Sequence, residues 1–357
     1  MIQSFFTKDP KWISAWDVFL EQTDRGLYNQ YSDWIKAYQV FGFESQFYLL
    51  TQDDKVVGGC GIVVAKFAFF KFYIVPCGPV LAAGFENRVD AIITDLKKDA
   101  SAKGCCYFQI SLPVLKSEAI IYNYTLPTIS EQSIYFSGSS GTKFKYVIPL
   151  YGKRLIPLEG KTHAEVFAKY SKNHQRNITK AATYGLDFKF VTSAEEVEEA
   201  YQCFELNAKE KGYPLRSYAS MKDTLANYIA KDYARMAGCF YENKLVGAVY
   251  AMKCGNRFIY INGGVLKEFQ HMNVSHFMHD CMIKESLALN FKSYDISVGG
   301  SAGVIKFKEG FGSELHEFID TKHWILNPFI FKIYLLFENK LKKYKTTIAK
   351  ILLKVKK

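Results

Sequence analysis

The chain has 357 residues, of which 49% are hydrophobic and 23% are charged. This length suffices for two domains, and this composition excludes an intrinsically disordered protein. The eight cysteines include no CxxC pair and follow no signal peptide, which predicts reduced thiols in a cytoplasmic protein.

The first half of the chain predicts helices followed by a strand hairpin and one helix between two strands. Apolar residues recur at helical spacing in the helices, and two apolar runs flank the turn Gln52-Asp53-Asp54-Lys55 in the hairpin. The predicted elements are helices over 10–23 and 34–40, a hairpin over 47–64, a strand over 72–75, a helix over 88–103 and a strand over 106–112.

The same order returns in the second half, which indicates an internal duplication. Its predicted elements are a hairpin over 238–252, a strand over 258–262, a helix over 275–289 and a strand over 293–297. Gly263 and Gly264 follow the third strand and predict a break there. Backbone N–H groups left unpaired by such a break could bind a carbonyl or phosphate oxygen of a substrate.

A basic helix is predicted between the two copies, over 162–185. Thr162 and Glu165 form a capping box at its start, and Gly185 can end it. Its cations recur at helical spacing without interleaved acids, which favours phosphate ligands, although a solvated surface is the alternative. They are Lys169, Lys172, Arg176 and Lys180.

A glycine-rich segment over 295–312 follows the last predicted strand and combines flexible backbone with cations and an aromatic ring. Gly299, Gly300 and Lys306 are predicted to contact the substrate, next to Phe307 and Lys308. A lysine beside backbone amides could stabilise the tetrahedral oxyanion of acyl transfer to an amine. The alternative is an ordinary turn with solvated lysines. No Gly-x-Ser-x-Gly nucleophile motif is present, so direct transfer is the simplest scheme.

The C-terminal segment carries most of the net charge of +11. Residues 332–357 include nine lysines and a single acid, Glu338, and their apolar residues recur at helical spacing. This pattern predicts a basic amphipathic helix that contacts an anionic membrane surface or packs on the protein body. No apolar run is long enough to span a bilayer. His276 and His279 lack further ligands nearby, so no metal site is predicted.

Two stretches resemble the FemABX family of peptidoglycan-bridge aminoacyltransferases. They are the run that begins Arg176-Asn-Ile-Thr-Lys180 and the motif Phe307-Lys308-x-Gly310-Phe311-Gly312. The resemblance implies an α/β protein with two tandem GNAT-like (acyl-CoA N-acyltransferase fold) domains. The predicted boundaries are 1–143 and 144–327 for these domains, and 328–357 for the basic C-terminal helix.

The resemblance also implies an activity, namely transfer of an amino acid from charged tRNA to an amine of a cell-wall precursor. Lys308, beside Phe307, would stabilise the oxyanion or the tRNA-linked ester, and basic residues near Arg176 would bind phosphates of the precursor. Aminoacyl-tRNA would be a co-substrate, and no cofactor is expected. The enzyme would work in the cytoplasm, with or without contact to the inner face of the membrane.

Two departures from the family pattern leave the donor open. The long helical hairpin that some members insert, and that is expected to touch tRNA, has no counterpart here. The glycine-containing pyrophosphate loop of acetyl-CoA-dependent relatives is also missing, since residues 266–275 contain no glycine. The alternatives are an acyl-CoA-dependent N-acyltransferase for an amino sugar or polysaccharide precursor, and a non-catalytic protein that binds RNA or membrane.

Overall fold

The computed structural model describes residues 1–119, 147 and 150–341. The elements of the first half are β1 (Ile2–Thr7), α1 (Pro10–Gln22), α2 (Ser32–Lys36), β2 (Glu44–Gln52), β3 (Lys55–Phe67), β4 (Phe70–Val75), β5 (Val80–Leu81), α3 (Val89–Ala102) and β6 (Tyr107–Ile110). Those of the second half are β7 (Gly152–Pro157), α4 (His163–Ala168), α5 (Lys172–Ala182), β8 (Asp187–Val191), α6 (Ala194–Lys211), α7 (Tyr218–Ala230), β9 (Ala234–Tyr241), β10 (Lys244–Cys254), β11 (Arg257–Val265), α8 (Val274–Ala288), β12 (Ser293–Asp295), α9 (Ala302–Glu309), β13 (Glu314–Glu317), β14 (Lys322–Ile325) and α10 (Pro328–Leu341).

The strands in the described part of the chain form two mixed sheets of seven strands each, and the predicted duplication is visible in their topology. The first sheet has the order β1-β2-β3-β4-β6-β14 with β5 beside β3, and the second has the order β13-β7-β12-β11-β10-β9-β8. In each sheet an antiparallel hairpin leads to a third strand, a crossover helix and a parallel strand. These are β2-β3-β4-α3-β6 and β9-β10-β11-α8-β12.

The two hairpins have matching turns, which strengthens the case for duplication. Asp53 and Asp54 have φ values of 48° and 61°, and Glu242 and Asn243 have values of 49° and 62°. Positive φ at both central residues defines the tight turn whose twist matches that of the flanking strands. The predicted hairpins are therefore confirmed at both positions.

The last strand crosses back to the first sheet. β14 pairs antiparallel with β6, and Phe318 bridges to Leu115 just before it. The predicted second domain ends at residue 327, but its last strand, β14, belongs to the first sheet. There it covers the edge that β6 would otherwise expose. The predicted boundary at 143/144 and the C-terminal tail after 341 lie outside the described residues.

One apolar cluster joins the two halves into a single body. Tyr31 from the first half is fully buried, and its ring stacks on Tyr233 at 5.2 Å and lies 6.0 Å from Tyr228. Its hydroxyl donates to the Lys253 carbonyl at 3.0 Å. No helix in the ranges 1–119 and 150–341 is long and apolar enough to cross a membrane.

The predicted helix over 162–185 is wrong in one respect, because it is two helices. Its capping box at Thr162 and Glu165 is present, but α4 ends at Ala168 and α5 begins at Lys172. Tyr170 between them is buried and donates to Asp280 at 3.2 Å, and Ser171 caps α5 by accepting from the His174 N–H at 3.3 Å. This tertiary contact outweighs the continuous helical pattern.

Candidate active site

Lys308 lies on α9, directly after the loop that leaves β12. The sequence predicts an open glycine loop here, but residues 302–309 are helical. Lys308 is only 5% exposed, and its Nζ donates to the carbonyl oxygens of Ser297 (3.0 Å) and Gly299 (2.7 Å). Burial lowers the pKa of Lys308 to about 8, while the Asp295 carboxylate opposes this effect and Arg154 adds to it. The ammonium is therefore mostly charged at neutral pH.

The expectation that Lys308 lies against backbone amides is wrong, since its partners are carbonyls. The loop turns its carbonyl groups inward because Ser297 adopts a φ of 67° and its N–H donates to Asp295 Oδ1 at 2.9 Å. The Tyr151 hydroxyl holds the Val298 carbonyl at 2.6 Å. An ammonium has three N–H donors, and the two carbonyls account for two of them.

Phe307 lies at the centre of a cluster of histidines and aromatic rings. Its ring centroid is 4.9 Å from His276, 5.4 Å from His174 and 5.6 Å from His279. His174 Nε2 contacts the Phe307 carbonyl at 2.8 Å, so this imidazole fixes the backbone next to Lys308. The predicted catalytic pair Phe307 and Lys308 is thus held by α5 and α8 together.

The histidines of this cluster are uncharged at neutral pH. Burial lowers the pKa of His279 to about 3, with the Lys308 charge as a further cause, and burial lowers that of His276 to about 4. His279 Nδ1 lies 3.1 Å from the Tyr294 hydroxyl. Within the ranges described, no three His, Cys, Asp or Glu side chains are arranged to hold a metal ion.

The other predicted contacts of the last segment lie at the surface. Gly299, Gly300 and Lys306 are exposed. Gly300 has a φ of 138°, which a residue with a side chain rarely adopts. Lys306 lies about 200° around the helix from Lys308. The structure therefore brings the two glycines to the loop that Lys308 holds, but directs Lys306 away from it.

The predicted glycine break at Gly263 and Gly264 is wrong, because β11 continues through both residues. They pair with Val249 and Ala248 of β10, and the Gly263 N–H already donates to Asn262 Oδ1 at 3.1 Å. A side chain at position 264 would collide with the Cys203 carbonyl of α6. Glycine at 264 is thus explained by close helix packing.

The basic stripe on α5 is exposed and separate from Lys308. Lys172, Arg176 and Lys180 are solvent-exposed, whereas His174, Ile178 and Ala181 on the opposite side of the helix are buried. Lys169 belongs to the end of α4 instead. The structure therefore places the width of a helix between these cations and the Phe307 cluster. Their predicted role in phosphate binding stays a prediction.

Sequence reasoning missed an arginine enclosed by aromatic rings where the two halves meet. The Arg216 guanidinium carbon lies 4.3 Å from the ring centroid of Tyr38, 5.6 Å from Trp34 and 5.7 Å from Phe41. We refer to these four residues as the arginine box. Arg216 Nη1 donates to Met221 Sδ at 3.6 Å, and a guanidinium has further N–H donors that could bind an anionic ligand. No sequence signal links residues so far apart.

Tyr28 packs beside the arginine box. Its ring contacts Trp34 at 4.8 Å. Burial raises the pKa of Tyr28, and the Arg216 charge opposes this effect.

Comparison with known proteins decides the family. The model of the FemAB family matches residues 13–239, which is more than half of the chain. The chain belongs to the FemAB family. This result confirms the resemblance seen in the sequence. The search of curated proteins finds no match.

The fold of this FemAB-family protein is that of several solved structures. The crystal structure of FemX has a TM-score of 0.75 at 13% identity and covers 92% of this chain and 99% of its own. L-PGS from Bacillus licheniformis has a TM-score of 0.55 at 11% identity, over 89% and 92%. The C-terminal domain of a proposed lysylphosphatidylglycerol synthetase from Agrobacterium fabrum has a TM-score of 0.53 at 11% identity, over 92% and 96%.

Family membership makes the protein an acyltransferase. The predicted α/β fold with two GNAT-like units is confirmed. The expectation of a non-catalytic binding protein is set aside accordingly.

Proposed function

We propose that this FemAB-family protein transfers an aminoacyl group from aminoacyl-tRNA to an amine of a phosphate-bearing cell-envelope precursor. The observation that carries the proposal is the buried Lys308 ammonium, which donates to two backbone carbonyls and whose third donor we assign to a substrate oxygen. The name of one neighbour in fold, lysylphosphatidylglycerol synthetase, denotes formation of an aminoacylated lipid. That neighbour supports aminoacyl transfer as the reaction class.

The chemical step needs no covalent enzyme intermediate. The neutral amine attacks the ester carbonyl of the donor, so a carbon–nitrogen bond forms and the carbonyl oxygen becomes an oxyanion. The carbon–oxygen bond to the ribose then breaks, and the proton lost by the amine ends on the ribose hydroxyl. Lys308 would stabilise the oxyanion through its third N–H donor.

The arginine box supports a phosphate-bearing acceptor. Its rings cover the guanidinium while its N–H edge can donate to two oxygens of one phosphate. Arg216 is therefore a better candidate for this role than Arg176, which projects from the far side of α5.

The donor and the location of the reaction belong to the same proposal. Aminoacyl-tRNA is the proposed donor, and an acyl-CoA used on an amino sugar or polysaccharide precursor is the alternative. We place the reaction in the cytoplasm, at the inner face of the membrane where lipid-linked precursors are available.

The test supplies the purified protein with each donor and with nucleotide-linked and lipid-linked muropeptide precursors. Mass spectrometry of the acceptor should show one added aminoacyl group, with matching loss of charged tRNA. Lys308→Met serves as the control for site-dependent transfer. Release of CoA with an acylated acceptor would establish the alternative donor, and an unchanged acceptor with both donors would contradict the proposal.

A further inference from the structure

The β3–β4 turn of the first sheet and the helix α10 expose large apolar side chains beside each other. Phe69, in the turn between β3 and β4, is 61% exposed, while Leu336 and Phe337 on α10 are 69% and 47% exposed. Phe69 lies 4.1 Å from the Phe70 ring, which in turn lies 6.2 Å from Phe337. Contiguous apolar surface of this kind is unusual on a monomeric soluble protein and marks an interaction site.

The exposed side of α10 is fixed by its buried side. Phe331 stacks on Tyr107 with ring centroids 5.2 Å apart, and Tyr334 meets Phe72 at 4.6 Å. These contacts anchor the helix to the first sheet. The side of α10 opposite to them, its outer stripe, is therefore exposed. Phe329, which is 74% exposed, lies on that stripe, two turns before Leu336.

The surroundings of this apolar surface are basic. Lys332 lies within the outer stripe and is exposed. The sequence continues from α10 into residues 342–357, which contain seven lysines and no acid.

We infer that this surface inserts shallowly into a bilayer of anionic lipids. We call it the α10 surface; it consists of Phe69, Phe329, Leu336, Phe337 and Lys332. Apolar side chains that protrude from a rigid support beside lysines match the boundary between acyl chains and acidic headgroups. This inference stands independently of the group that the enzyme transfers.

Charge disfavours the other two occupants of the α10 surface. A second copy would bring Lys332 of both chains together across a symmetric contact, which is repulsive. Residues 342–357 of the same chain would place seven further lysines against Lys332. Anionic lipid is the occupant whose charge is opposite.

The test is cosedimentation of the full chain with vesicles. We expect binding to vesicles of equal parts phosphatidylglycerol and phosphatidylcholine, and at least a tenfold weaker partition coefficient for pure phosphatidylcholine. The double variant Phe69→Ser with Leu336→Ser should lose at least tenfold on the anionic vesicles. Both residues are more than 60% exposed, so the fold should persist, as circular dichroism will check.

A matched control replaces two apolar residues that are exposed elsewhere, Val18 and Leu206, at 43% and 54% exposure. Val18→Ser with Leu206→Ser should bind vesicles like the unaltered protein. Equal loss in both double variants would overturn the inference. So would stronger vesicle binding after removal of residues 342–357, which would identify the tail as the occupant. Lipid-free dimers abolished by the first double variant would identify a second copy instead.

Discussion

The crossover helices α3 and α8 occupy equivalent positions in the two halves but bury side chains of different chemical character. The buried side of α3 is wholly apolar, with Ile92 and Leu96 at its centre. The buried side of α8 includes His279 and Asp280, and the parallel strand that follows ends in the buried Asp295. All seven histidines of the protein lie after residue 162.

This difference distinguishes the buried side chains that the fold requires from those that it does not require. Buried ionisable groups cost free energy unless partners satisfy them. Around α8 these partners are present, since Asp280 contacts His163 and Lys284 at 2.8 Å and Tyr170 at 3.2 Å. In the first half, α3 occupies the equivalent position without a buried charged residue. The buried charged and histidine side chains of α8 are therefore a feature that the topology itself does not require.

The largest expected effect concerns Lys308 itself. Lys308→Met keeps the aliphatic stem but removes the ammonium, so kcat should fall by about 10²–10³-fold, as for loss of an oxyanion donor. Steady-state transfer assays measure this. Lys306→Met is the control, because Lys306 is exposed on the same helix and should retain full turnover. Turnover of Lys308→Met within twofold of the original would remove this residue from the mechanism.

Acid should destabilise the second half through its buried histidines. The pKa of His279 is about 3 in the folded protein, below its unfolded value of about 6.5. The unfolded state then binds more protons between these values, so the free energy of unfolding falls as pH decreases. At about 1.4 kcal/mol per pH unit, the loss from His279 is roughly 3 kcal/mol between pH 6.5 and about 4.

Chemical denaturation at several pH values tests this dependence. His279→Gln should flatten it, while His271→Gln, at an exposed position, should leave it unchanged. A slope equal to that of the original protein in His279→Gln would show that the pKa of this histidine does not differ between the folded and unfolded states.

The arginine box predicts a smaller effect on acceptor binding. Arg216→Lys keeps the charge but loses both the planar fork and the stacking on three rings, so the KM for the acceptor should rise about tenfold with kcat nearly constant. Arg176→Lys provides the comparison on α5. A larger KM effect at Arg176 than at Arg216 would assign phosphate binding to the basic stripe on α5 instead.

The smallest effect is the alkaline limb of the rate profile. Because the pKa of Lys308 is about 8, its charged fraction falls as pH rises, and kcat should drop about fourfold between pH 7.0 and about 8.5. Measurements at saturating acceptor test this. The residual activity of Lys308→Met should not show the same limb, and a limb shared by both proteins would assign it to another group.

Much of the fold follows from local sequence signals. The hairpins are predictable because Asp53-Asp54 and Glu242-Asn243 interrupt apolar runs at their turns. The capping box at Ser193 and Glu196 likewise marks the start of α6. The return of β14 to β6 has no such signal, because strands more than two hundred residues apart pair through tertiary structure alone.

The site was only partly predictable for the same reason. The motif at Phe307 and Lys308 identifies the region, but the helix there and the carbonyl partners of Lys308 depend on the path of the chain around Ser297. The arginine box joins Trp34 to Arg216 through the contact between the halves. The apolar periodicity around Trp34 or around Arg216 does not predict that contact.

The pairing of β14 with β6 has a consequence for synthesis of the protein. During translation the first sheet emerges early, but its last strand, Lys322–Ile325, leaves the ribosome only after the whole second sheet has been made. The edge of β6 must therefore stay unpaired or shielded throughout that interval, when it is open to association with other nascent chains.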